Sequence, residues 1–62
     1  MKLKVLRRNI SYNVACSILD TNYYNIAETK SIGLYWTIFI DKSGRKVARY
    51  NEKYGRLEVI CN

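Results

Sequence analysis

Apolar and polar positions alternate at the two-residue period of a strand over much of this chain, most clearly in its C-terminal half. Residues 34–40, Leu-Tyr-Trp-Thr-Ile-Phe-Ile, are mostly β-branched or aromatic and predict a strand. Asp41-Lys42-Ser43-Gly44 follows, with Asp first and Gly fourth, which fits a type I turn ending in a left-handed residue. Lys46 to Tyr50 predicts the returning strand. Asn51-Glu52-Lys53-Tyr54-Gly55 is a second turn signal, and Leu57 to Cys61 a third strand.

Closing the first hairpin through Asp41 and Arg45 puts Ile40 opposite Lys46, Ile38 opposite Ala48 and Trp36 opposite Tyr50. Closing the second through Asn51 and Arg56 puts Tyr50 opposite Leu57 and Ala48 opposite Val59. One face then holds Leu34, Trp36, Ile38, Ile40, Ala48, Tyr50, Leu57, Val59 and Cys61, with Lys46 its only charge. The other holds Tyr35, Phe39, Val47 and Ile60 among Arg45, Arg49 and Arg56. Two opposite-charge pairs face each other, Asp41 with Arg45 and Arg49 with Glu58. A competing helix over Arg45–Tyr54, capped by Gly55, loses these cross-strand matches.

In the N-terminal half, Leu3 and Val5 alternate with Lys2 and Lys4, so Lys2–Arg7 is expected as a strand. Ile10, Tyr12, Val14, Cys16 and Ile18 alternate with Ser11, Asn13, Ala15, Ser17 and Leu19, which favours a second strand. The same segment also fits a helix, because Ile10, Val14 and Ile18 share a helical face and Asn9 or Ser11 could cap it. Asp20-Thr21-Asn22 signals a turn, Tyr23–Lys30 a further strand and Ser31-Ile32-Gly33 a corner. The expected fold is all-β, a small single antiparallel sheet or open barrel of five to six strands ending in a three-strand meander. The alternative is an α+β chain, β-α-β-β-β.

Sixty-two residues give room for one small domain, residues 1–62, which buries only about 60% of its unfolded surface and leaves little for a catalytic cleft. Two cysteines, Cys16 and Cys61, are too few for a disulfide framework, and the charged N-terminus does not read as a signal peptide. A reducing, intracellular location is therefore expected, with both thiols buried. The apolar run at 34–40 is far short of the roughly 20 residues of a membrane span. There is no histidine, no CxxC pair and no phosphate-cradling glycine motif, so no cofactor or metal is expected and an enzyme is disfavoured.

Eleven lysines and arginines against five carboxylates give a net charge of +6, which attracts polyanions and acidic surfaces. The candidate binding residues are Tyr35, Phe39, Lys42, Arg45, Arg49, Lys53, Tyr54 and Arg56. Aromatic rings interleaved with cations are what a single-stranded nucleic-acid platform uses: rings stack on bases and cations track phosphates. Nucleic acid, single-stranded before duplex, is thus the first expected partner. The same residues also suit a protein interface. The alternative is a phage- or mobile-element-type inhibitor or adaptor that binds an acidic patch on a host protein. An abundance of Ile, Asn, Lys and Tyr suggests an AT-rich genome such as a phage's. Sheet edges invite homodimer pairing.

Overall fold

Five strands and one helix follow in the order β1 (Lys2–Arg7), α1 (Tyr12–Thr21), β2 (Ile26–Ile32), β3 (Trp36–Asp41), β4 (Lys46–Asn51) and β5 (Arg56–Cys61). They were found in a computed structural model that describes residues 2–22 and 24–61, with the side chain of Cys61 outside the description. The strands form one open antiparallel sheet in the order β1-β5-β4-β3-β2. β1 and β2 are its two edges, so α1 carries the chain across one face from edge to edge. The sheet-dominated fold expected from the alternation is therefore present, with the meander at its centre.

The segment 10–19 corrects the favoured reading, because from Tyr12 onward it belongs to helix α1 and not to a strand. The two-residue alternation there is accidental, while Tyr12, Ala15, Cys16 and Leu19 recur at the spacing of one helical face. Ala15 and Leu19 are fully buried against the sheet, whereas Val14 is exposed. Ser11 caps the helix, its Oγ accepting from the Val14 N–H at 3.3 Å. At the other end the Asn22 side-chain amide donates to the Ile18 carbonyl at 2.7 Å. So short a helix is marginal alone and depends on this packing. Residue 23, expected to open the next strand, lies outside the described residues; β2 begins at Ile26 and runs through the expected corner to Ile32.

The second hairpin has the expected register: Ala48 opposite Val59, Arg49 opposite Glu58, Tyr50 opposite Leu57 and Asn51 opposite Arg56. The first begins as expected, with Ile40 opposite Lys46, but then slips by one residue. A bulge at Val47 brings Phe39 opposite Ala48, Ile38 opposite Arg49, Thr37 opposite Tyr50 and Trp36 opposite Asn51. A one-residue slip exchanges the faces of a strand. Phe39 accordingly turns inward under α1 and joins Ala48, Tyr50, Leu57, Val59, Ala15 and Leu19 in the core. Trp36 and Ile38, expected inside, move to the face that carries Arg49 and Glu58.

The core is closed by aromatic contacts from the helix. The Tyr12 ring stacks on Phe39 at 6.1 Å and meets Tyr50 edge-on at 5.8 Å. Tyr50 donates its hydroxyl to the Ile10 carbonyl at 2.6 Å, tying β4 to the start of the helix. Burial raises the Tyr50 phenol above its usual pKa, with Glu52 adding in the same direction. Gly55 makes the second tie, its carbonyl accepting from the Ile10 N–H at 3.0 Å. Its φ of +61° and the Ile10 oxygen 2.8 Å from where a Cβ would stand leave room for glycine alone.

Candidate nucleic-acid interface

Consecutive hairpins of a meander turn at opposite ends of a sheet, and this divides the candidate residues into two groups. The β3–β4 turn carries Lys42 and Arg45 at one end. At the other end the β4–β5 turn, residues 52–55, meets the β2–β3 turn, residues 33–35. The Glu52 N–H donates to the Tyr35 carbonyl at 2.8 Å and fixes the two turns together. The β1–α1 connection joins them through the Ile10–Gly55 hydrogen bond, adding Arg8.

This triple-loop end presents the exposed rings. Tyr54 is 56% exposed and Tyr35 45%. The Lys53 ammonium stands between them, 5.4 Å from the Tyr54 ring and 5.7 Å from the Tyr35 ring. The turn that holds Lys53 and Tyr54 is organised by Asn51, which is buried. Its Oδ1 accepts from the Lys53 N–H at 2.9 Å and the Tyr54 N–H at 3.2 Å. Arg8, Asn9, Tyr54 and Arg56 line a hollow of about 230 Å³ beside the rings.

From there a chain of contacts runs onto the sheet face that α1 does not cover. The Arg56 guanidinium lies 5.6 Å from the Tyr54 ring. Its Nε approaches Glu58 Oε2 at 2.7 Å in an ionic contact without hydrogen-bond alignment. Glu58 Oε1 accepts from Arg49 Nε at 2.6 Å, and the Arg49 guanidinium lies 4.3 Å over the Trp36 ring. The Glu58 carboxylate is buried beneath its two arginines, only 7% exposed at the side chain. It bridges both guanidiniums, so the strip runs Trp36, Arg49, Glu58, Arg56, Tyr54, Lys53, Tyr35. Arg49 sits at the inner end of this strip, its charge shared with Glu58.

Three expected site residues lie elsewhere. Phe39 is 2% exposed in the core and offers no ring to a ligand, because the bulge at Val47 reverses its face. Lys42 and Arg45 are exposed but sit at the far end of the sheet. There Asp41 Oδ1 accepts from the Ser43 N–H, the Ser43 hydroxyl and the Arg45 N–H, at 2.9, 2.6 and 3.0 Å. These bonds, the Ser43 hydroxyl first, hold the Asp41 carboxyl below its usual pKa. The expected Asp41–Arg45 ion pair is replaced by a bond from Arg45 Nε to Ser43 Oγ at 3.2 Å. A larger hollow of about 570 Å³ at this end is lined by Tyr24, Val47 and Ile60 as well as the turn, with no exposed ring among the described residues.

Trp36 and the Arg56–Glu58 contact were not expected as parts of the strip. Trp36 enters because the bulge at Val47 reverses the face of β3, which the regular alternation of the chain does not show. No group of three or more metal-ligating side chains occurs among the described residues. No helix there is long and apolar enough to cross a membrane. No known protein family, curated protein or solved structure matches the chain.

Proposed function

We propose that this chain is a non-catalytic single-stranded nucleic-acid-binding protein that works through the triple-loop end. The observation carrying the reading is Lys53 set between the exposed Tyr35 and Tyr54 rings, with Arg56 over Tyr54 and Arg8 lining the hollow beside it. Bases stack on rings without regard to sequence, and adjacent cations follow the phosphates. The pre-set rings and guanidiniums lose little freedom on binding, which favours affinity.

Fluorescence titration with short single-stranded and duplex oligonucleotides tests this. Tyr54→Ala and Tyr35→Ala should each weaken single-strand binding by about 1–3 kcal/mol with little change in salt dependence. Affinity no greater than that of an unrelated protein of equal charge would reject the reading.

A second reading, a phage- or mobile-element-type inhibitor or adaptor that binds an acidic patch on a host protein, draws on the uncovered sheet face. Val5, Ile38 and Ile60 are half-buried there and Leu3 is exposed, so apolar area surrounds the Arg49–Glu58–Arg56 cluster. Binding through that face would be lost on Ile38→Asp and be indifferent to Tyr54→Ala.

A further inference from the structure

The two edges of the sheet differ. β1 carries Lys2 and Lys4 and a bulge between Val5 and Arg7, features that discourage pairing with another chain. β2 has exposed side chains from Ala27 to Ile32, no proline, and pairs on one side only, with β3. An edge strand leaves a row of backbone N–H and C=O groups facing outward.

Its sequence is self-complementary. Read from both ends toward Thr29, Ala27-Glu28-Thr29-Lys30-Ser31 sets small residue against small residue and carboxylate against ammonium. We infer that the chain forms a weak homodimer by antiparallel pairing of β2 with β2 of a second copy, centred on Thr29. A two-fold axis through that residue puts Glu28 opposite the partner's Lys30 and Lys30 opposite the partner's Glu28. Both pairs lie on the face that α1 leaves open, because Glu28 and Lys30 stand opposite Ile40 and Ile38 of β3. Thr29 meets the partner's Thr29 on the helix side. The contact is isologous and closes on itself, joining two five-stranded sheets into one.

Charge selects this register over its neighbours. An axis perpendicular to the sheet must pass through a residue that keeps side chains on matching faces. Shifting it by one residue either way sets Glu28 against Glu28 or Lys30 against Lys30. The bulge at Ala27 limits regular pairing to a short stretch, which makes the dimer weak and dependent on concentration. The inference does not depend on the nucleic-acid reading, since β2 contributes no residue to the tyrosine strip.

Sedimentation velocity at protein concentrations up to about 1 mM tests it, that being the Kd of weak specific contacts. The wild type should show a monomer–dimer equilibrium. Glu28→Lys and Lys30→Glu should each weaken association at least about tenfold, because each turns two attractive pairs into two repulsive ones. An equimolar mixture of the two variants should restore dimer, as should the double exchange in one chain. Both positions are exposed, and circular dichroism is the check that each variant folds. A wild type that is monomeric throughout, single variants that associate like the wild type, or a mixture that stays monomeric would each overturn the proposal.

Discussion

Phe39 and Gly55 show how much one position decides. Phe39 has the neighbours of a binding-face aromatic in the unbroken register and the burial of a core residue in the folded chain. Phe39→Ala should therefore cost about 3–5 kcal/mol of stability, measured by urea unfolding, a large part of the margin of so small a domain. A loss of binding in a variant of unchanged stability would contradict its placement. Gly55 has a left-handed backbone and Ile10 against its α-carbon, whereas Gly44 has the left-handed backbone and open space. Gly44→Ala should cost about 1–2 kcal/mol for the backbone alone. Gly55→Ala should cost more, because the added methyl forces β5 away from the start of α1; equal midpoints in urea for the two variants would contradict the tight contact.

Strands were easier to recognise than their faces. The turns at Asp41–Arg45 and Asn51–Arg56 carry their chemistry in four or five consecutive residues, so both hairpins could be read locally. The bulge at Val47 has no such local code: it follows from burying Phe39 under α1, that is, from tertiary packing. The same packing resolves residues 10–19, where the pattern fits two periods and only burial of Ala15 and Leu19 chooses the helix. Thus Lys53 and Tyr54 could be placed in a turn from the sequence, whereas the turn position of Tyr35, the loss of Phe39 and the gain of Trp36 could not. The β3–β4 hairpin also carries a pH dependence. Because hydrogen bonds from Ser43 and the Arg45 N–H lower the Asp41 pKa in the folded state, its stabilisation is present above the unfolded carboxylate value of about 3.9. It is lost as pH falls through the lower folded value. Asp41→Asn should be less stable than wild type near neutrality, and the gap between their denaturation midpoints should close on acidification. A gap that stays constant with pH would show that the charge of Asp41 contributes nothing.

Across the molecule, cations stand at both ends of the sheet, and among the described residues only the triple-loop end joins them to exposed rings. Lys53 and Arg56 belong to the triple-loop end; Lys42 and Arg45 belong to the opposite turn. Replacing either pair with glutamine removes the same charge, so a difference between the two variants reports position and not net charge. The direct test is the salt dependence of binding to a short single-stranded oligonucleotide. If the triple-loop end neutralises about four phosphates, log K against log salt should have a slope near −3. Lys53→Gln with Arg56→Gln should lower the affinity and reduce that slope by about 1.4, while Lys42→Gln with Arg45→Gln should leave the slope nearly unchanged. Equal losses from the two pairs, with both variants folded, would contradict a localised site and assign the binding to overall charge.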